Sequence, residues 1–281
     1  MRQFASLFLS LMLASCAWQG NRVANITPAE AVPAYSLANT ESCVGELYAT
    51  PAKDSPRLDS KQIRLLNWNT HKYADARAHD DLHNLGNEAD LILLQEAIQG
   101  NTHIPGLGSP LHWEFAPGYI QAGVQTGVMT ASTVAPVATC KLSYTEPWLR
   151  SPKATNINWY ALSDTNETLL VINIHLINFT LGVSAMRTQL EQALAFVQMH
   201  SGPVIVSGDF NTWSKERSNV VTQALNELNL QPVKYSDDQR TRIFGLPVDH
   251  LYVRDIYAST ATSHQVESSD HNPISVILKI L

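Results

Sequence analysis

The segment Pro203-Val204-Ile205-Val206-Ser207-Gly208-Asp209-Phe210-Asn211 most constrains how this chain can fold. Its β-branched apolar start reads as a buried strand, and it stops at a glycine followed by a carboxylate and an amide. Side chains alternate along a strand, so Asp209 and Asn211 are expected on one side and Phe210 in the core. Taken alone, the same residues also suit an Asx turn that merely ends a strand. The design recurs, however. Ile63 to Asn69, Ala89 to Glu96 and Leu169 to His175 are further apolar runs that end in polar or ionisable residues. Such a chain is expected to lay several buried strands together and to gather their polar ends at one sheet edge, where functional residues commonly sit.

Between these strands the pattern changes. Met186, Leu190, Ala193, Leu194 and Val197 fall on one face of a helix expected to begin at Ser184. Leu82 and Leu85 mark a shorter helix, and Val221, Leu225 and Leu228 another. From Trp113 to Leu162, short segments broken by Gly and Pro suit antiparallel strands. With 281 residues, 44% of them hydrophobic, the chain can bury one large core. A net charge of −6 supplies no overall basic field to hold nucleic acid by counterion release, though a local basic groove stays open.

The N-terminus reads as an export signal. Met1-Arg2-Gln3 is a positive start, Phe4 to Leu13 an apolar run too short to span a bilayer, and Leu13-Ala14-Ser15-Cys16 a small-residue site ending in cysteine. Residues 1–15 are expected to be a lipoprotein-type signal, with Cys16 the lipidated first residue; a plain cleaved signal near Ala17 is the alternative. Either places the mature chain outside the cytoplasm, in the cell envelope, facing the periplasm if lipid-anchored. Losing Arg2 leaves 18 basic against 25 acidic residues, or −7. Residues 16–61, with Pro28, Pro33, Pro51 and Pro56, read as a linker ahead of a domain over 62–281. Cys43 and Cys140 are free to bridge in an oxidising compartment or to stay unpaired.

Collected in order, Asn69 in Trp-Asn, Gln95-Glu96, Ile174-His175-Leu176, Gly208-Asp209-Phe210-Asn211, Asp249-His250-Leu251 and Ser269-Asp270-His271 resemble the endonuclease/exonuclease/phosphatase superfamily. That resemblance covers about residues 63 to 281 and implies a four-layer α/β sandwich, two mixed β-sheets packed face to face with helices outside. It also implies a divalent-metal phosphoesterase, most nearly a nuclease-like phosphodiesterase. A sphingomyelinase-like phospholipid phosphodiesterase and a non-catalytic binding module with this fold are the alternatives.

The chemistry of each residue agrees with the resemblance. Phosphodiester hydrolysis needs a cation on the phosphoryl oxygens and a positioned, deprotonated water. Glu96, Asn69 and Asp270 are expected to hold the metal, and an all-oxygen set favours Mg2+ or Mn2+ over zinc. Asp209 is expected to orient or deprotonate the water, and Asn211 to hydrogen-bond the phosphoryl oxygen or hold its partner. Asp249 would fix the tautomer of His271, and His271 and His175 would face the phosphate as donors. His71, His79, His83, His103 and His112 read as solvated surface histidines, and Lys153 as part of a surface loop. The expected partners are a phosphodiester, from nucleic acid or a phospholipid head group, and a membrane through the lipid anchor. No protein partner is evident, and a monomer is expected.

Overall fold

Ile63–Asn69 forms β1, and its alternation explains the layering: Ile63 and Leu65 face one way, Leu66 and Trp68 the other, all buried. The computed structural model describes Cys43 and residues 51–101 and 111–281. Residues 1–42, with the expected signal and Cys16, lie outside the described residues, as does His103. By contacts the chain divides into Met1–Ser36 and Leu37–Leu281, and every described residue belongs to the second unit.

The strands that follow are β2 (Leu91–Ile98), β3 (His112–Gln121), β4 (Val124–Ser132), β5 (Ala138–Thr145), β6 (Pro152–Ala161), β7 (Thr168–His175) and β8 (Val204–Asp209). After three two-residue strands, β9 (Gln231–Pro232), β10 (Arg242–Ile243) and β11 (Leu246–Pro247), come β12 (Asp249–Arg254), β13 (Ile256–Ser263) and β14 (Ile274–Ile280). They form two mixed six-stranded sheets, ordered β13-β14-β1-β2-β4-β3 and β5-β6-β7-β8-β12-β9, with β10 and β11 as a separate hairpin. Parallel pairs β1–β2 and β7–β8 sit at the centres, where strands buried on both faces read as continuous apolar runs.

Three cores separate the layers. Between the sheets, Leu65, Leu93, Val171, Ile205, Leu251 and Val276 pack together. Outside the first sheet, Ala78 and Leu82 of helix α1 (Arg77–Gly86) cover Leu66, Trp68, Ile92 and Leu94. Outside the second, α2 (Ser184–Met199) and α3 (Lys215–Asn226) cover Ile172, Ile174, Val204 and Val206. This is the four-layer sandwich that the sequence implied. Each fully buried aliphatic side chain contributes roughly 1.5–3 kcal/mol.

Several local expectations change. Ser184 opens α2, but its side chain makes no cap hydrogen bond and Val183 holds the cap position. Ser214 does cap α3, accepting from Arg217 N at 3.2 Å. Leu228 lies past the end of α3 and packs on the core from outside the helix. Leu58, within the expected linker, is buried and bridges to Leu162, so the packed unit reaches back before residue 62. The open question about the cysteines closes as a disulfide: Cys43 and Cys140 are bonded, with Cα atoms 5.5 Å apart. None of the described helices is long and apolar enough to cross a membrane.

Candidate active site

Strand register brings the polar ends abreast. His175 pairs with Asp209, Asp209 with Asp249, and Asn69 with Gln95. Along their strands these residues share the parity of Val171, Ile205, Leu251 and Leu65, which fill the space between the sheets. Their side chains therefore continue that inter-sheet layer past its apolar filling. One step below lies a buried polar clamp across the sheets. Gln95 Nε2 donates to Asn67 Oδ1 at 2.9 Å and to Asn173 Oδ1 at 2.6 Å, and Asn173 Nδ2 donates to Met129 O at 3.0 Å.

Gly208 is required where it stands. Its φ is 148°, and a Cβ there would come within 1.9 Å of Ile174 O on the neighbouring strand. Close pairing of β7 and β8 at this point holds the carboxylate of Asp209 beside His175. The next three residues form an Asx turn as well, with Asn211 N donating to Asp209 Oδ1 at 2.9 Å. The two readings of this segment, turn and active edge, thus describe one structure.

Glu96 breaks the alternation. It should point outward with Ile92 and Leu94, but the β2–β4 register slips between Leu94 and Ala97, and Glu96 takes φ 51°. This bulge re-aims the side chain toward the second sheet, where Lys153 Nζ lies 3.9 Å from Oε1. Lys72 donates to Glu96 Oε2. It is the middle of three left-handed residues, His71, Lys72 and Tyr73, at φ 47°, 61° and 53°. Such backbone costs roughly 1–2 kcal/mol per residue, so the ammonium is held on the carboxylate against local strain.

The two carboxylates are tuned in opposite directions. Burial works to raise the pKa of Glu96, but the positive charge around it, with the Lys72 hydrogen bond, brings it down to about 2. His175 contributes little to that charge. Burial, then Lys153, pushes its pKa well below the usual imidazole range, and its Nε2 accepts from Lys153 Nζ at 3.0 Å. The lysines are therefore what keeps Glu96 ionised. Burial raises Asp209 to about 6, opposed by His271 and reinforced by Asp249. Its Oδ2 accepts from Asn69 Nδ2 at 3.1 Å and lies 3.4 Å from His175 Nε2 and 3.9 Å from His271 Nε2.

His271 donates from Nδ1 to Asp249 Oδ2 at 2.8 Å, which leaves Nε2 facing Asp209. Burial alone would lower its pKa, but Asp249 and Asp209 raise it to about 10. Its ring is thus a charged donor. Trp68 Nε1 donates to the His271 carbonyl at 2.8 Å and ties that loop to β1. Asn211 Nδ2 donates to Leu176 O at 2.8 Å, so here it holds the turn.

Asn69, Glu96, His175, Asp209, Asn211, Asp249 and His271 converge at this edge. Asp270 stands apart, its side chain largely exposed and 3.5 Å from His71 Nδ1. His71 links it to the others, since its backbone N donates to Asn69 Oδ1 at 3.1 Å. His71 and Lys153, read from sequence as surface residues, therefore belong to the site. Lys153 is nearly buried, with Nζ 5.3 Å from the Tyr119 ring centre. No spacing rule marks a lysine that reaches its partner through the far sheet. Alternation in β6 gave no signal either, because Lys153 is in phase with Ile157, which packs toward the helices outside the second sheet.

The donor set fits a hard divalent cation. Glu96 is ionised and nearly buried, and Asn69 supplies an amide oxygen from the adjacent parallel strand. Lys72 and such a cation would compete for the same Glu96 oxygen. Asp209, Asp249 and His271 also place one ligand atom each within 4.8 Å of one another. That trio is poorly suited to a metal, because His271 spends Nδ1 on Asp249 and keeps its proton on Nε2.

Comparison with known proteins follows this geometry. The Endonuclease/Exonuclease/phosphatase family model matches residues 66–271. A family protein from Leptotrichia buccalis superposes with TM-score 0.61 at 14% identity, covering 78% of this chain and 100% of its own. The human Nocturnin catalytic domain, with bound sulfate, gives TM-score 0.61 at 16% identity over 81% of this chain and 97% of its own. ANGEL2, a 2′,3′-cyclic phosphatase in complex with adenosine-2′,3′-vanadate, gives 0.60 at 14% over 78% and 96%.

Proposed function

The chain belongs to the Endonuclease/Exonuclease/phosphatase family, and from that premise we propose that it is a metal-dependent phosphoesterase that cleaves phosphodiester bonds with an activated water. The observation that carries the reading is the contrast at one sheet edge between Asp209, with a pKa of about 6, and the charged donor His271, 3.9 Å away. A carboxylate near 6 is largely ionised at neutral pH yet basic enough to take a proton from water as its oxygen attacks phosphorus. His271, held in one tautomer by Asp249, donates from Nε2 to the phosphoryl oxygen as its charge grows. The Lys153 ammonium supplies a second positive group beside His175. Asn211 and Asn69 hold the Asp209 carboxylate in place.

Glu96 and Asn69 would hold Mg2+ or Mn2+, and a bound cation polarises phosphoryl oxygens and lowers the pKa of its water. As the bond from water oxygen to phosphorus forms, the bond to the leaving oxygen breaks, and the water proton passes to Asp209. A purely binding role would leave unexplained why a buried carboxylate is raised beside a protonated imidazole.

The test is hydrolysis by the exported chain of plasmid DNA, single-stranded DNA, RNA, sphingomyelin and bis-p-nitrophenyl phosphate, with Mg2+, Mn2+ or chelator. Metal-dependent release from at least one of them is expected. No hydrolysis of any, with the fold intact by circular dichroism, would overturn the catalytic reading in favour of the binding module.

A further inference from the structure

The two ends of the sandwich differ in what they show to solvent. β7 and β8 end at the catalytic edge, so antiparallel β4, β6 and β12 begin there, and the β3–β4, β5–β6 and β7–α2 connections and the β10–β11 hairpin lie around it. Among the described residues, the exposed large apolar side chains concentrate on those connections. Ile120 lies at the end of β3 just before the first, Trp148 and Leu149 belong to the second, Phe179 and Leu181 to the third, and Phe244 to the hairpin, each 52 to 83% exposed. Among the described residues, those at the far edge are Met199, Tyr257 and Leu281. Two faces of one soluble body would share such residues about evenly, since scattered exposed apolar groups are ordinary.

The apolar tips stand on braced bases. Glu146 is buried, and its Oε1 accepts from Asn178 N at 2.6 Å and Phe179 N at 3.3 Å, while Oε2 accepts from Ser151 Oγ at 2.5 Å. One carboxylate therefore clamps the Trp148–Leu149 loop to the Phe179–Leu181 loop. Asn178 Oδ1 accepts from Trp213 Nε1 at 2.8 Å, which ties both to the turn after Asp209. Across the cleft, Phe244 at φ 50° and Gly245 at φ 81° make the tight left-handed turn of a two-residue hairpin. Thr241, beside that hairpin, donates from Oγ1 to the Asp270 carbonyl at 3.1 Å. Rigid apolar tips thus flank the site on two sides.

We propose that this rim docks on a phospholipid bilayer, so that the substrate is a phosphodiester presented at the lipid surface. The inference rests on the phosphoesterase reading and on Cys16 as a lipid acceptor. Tryptophan and phenylalanine beside aliphatic residues, with exposed Arg150 next to Leu149, suit the boundary between headgroups and acyl chains. The net charge of −6 gives no matching grip on nucleic acid. The chain length permits the geometry. Cys43 is fastened to Cys140 on edge strand β5, which runs on to the Glu146 loop at the catalytic edge. Cys16 lies 27 residues before Cys43, so their separation can reach roughly 90 Å at most. A lipid at Cys16 can therefore share a bilayer with the rim.

The experiment sediments the unlipidated exported chain, residues 17–281, with vesicles of phosphatidylcholine and phosphatidylglycerol at physiological salt. Trp148→Ser/Leu149→Ser and Phe179→Ser/Leu181→Ser are compared with the far-edge control Met199→Ser/Tyr257→Ser. Thermal midpoints report that each variant is folded. Expected are vesicle binding by the unsubstituted chain, about a tenfold or greater loss in each rim variant, and no loss in the control. Absence of vesicle binding, equal binding by the rim variants, or equal loss in the control would overturn docking. So would rim variants that lose affinity for a single-stranded oligonucleotide but keep vesicle binding. Hydrolysis of bis-p-nitrophenyl phosphate by the unsubstituted chain separates the two readings: hydrolysis without vesicle binding removes docking alone, and vesicle binding without hydrolysis of any phosphodiester removes catalysis alone.

Discussion

Glu96 and Asp209 sit at the polar ends of central strands in opposite sheets, with side chains 14% and 3% exposed, yet their acidities differ by about four units, near 2 against near 6. Burial pushes both the same way. What differs is the company. Glu96 faces two ammonium groups, Lys72 and Lys153, whereas the donors closest to Asp209 are the neutral Asn69 amide and the Asn211 N–H. Asp249 adds a second negative charge, and His271 is 3.9 Å away with its Nδ1 already engaged. The first sheet thus makes a permanent anion suited to cations, and the second makes a proton acceptor suited to water.

The largest effect expected from breaking this contrast is on turnover. Asp209→Asn keeps the shape and removes the base, and should lower phosphodiester turnover by roughly 10²- to 10⁴-fold. Stability should move the other way. A carboxylate whose folded pKa lies above its unfolded value destabilises the fold once pH exceeds the unfolded pKa. The thermal midpoint at pH 8 should therefore hold or rise in Asp209→Asn. Turnover within tenfold of the parent, or a midpoint several degrees lower, would show a structural cap instead of a base.

Glu96→Gln tests the other partner through stability. Its folded pKa is depressed, so its contribution is present above the unfolded pKa and lost as pH falls through about 2. Urea unfolding at pH 7 should show a clear loss of stability that shrinks toward zero near pH 2. A loss independent of pH would mean that packing, not charge, holds the residue.

The same contrast shapes the pH profile. Turnover efficiency should rise through about pH 6 as Asp209 loses its proton, and fall through about 10 as His271 loses its own. Asp249→Asn should draw the alkaline limb down by about one unit or more and leave the acid limb in place or slightly lower. An unmoved alkaline limb would separate His271 from that titration.

How much of this was legible beforehand follows from where the forces lie. Apolar runs ending in polar residues define local periods, and so β1, β2, β7, β8 and the long helix could be read residue by residue. The ordered motifs carried the fold and gathered Asn69, His175, Asp209, Asn211, Asp249 and His271 correctly onto one edge. The aim of Glu96 was hidden, because a bulge and one left-handed residue decide it and alternation points the wrong way. Lys72 and Lys153 were hidden for a related reason. Each reaches Glu96 through tertiary placement, one by a strained turn and one from the opposite sheet. Sequence spacing also missed the apolar rim, since its tips come from separate loops, two of them joined through Glu146 and one a hairpin turn at Phe244 across the cleft.

The smallest effect sharpens the comparison most, because it concerns one oxygen. Lys72 donates to Glu96 Oε2, the atom that a divalent cation would also need. The attraction to Glu96 and Tyr119 more than offsets the burial that opposes the Lys72 charge, so its pKa lies above the ordinary value and the ammonium persists at neutral pH. Competition between the two cations predicts that Lys72→Met tightens metal binding. Manganese binding followed by electron paramagnetic resonance reads this without substrate. Weaker manganese binding would instead mean that Lys72 orients Glu96 for the metal, and unchanged binding would make the Lys72–Glu96 pair structural. In either case Asp209 should keep its acid limb near 6, because its nearest donors, Asn69 and Asn211, do not involve Lys72.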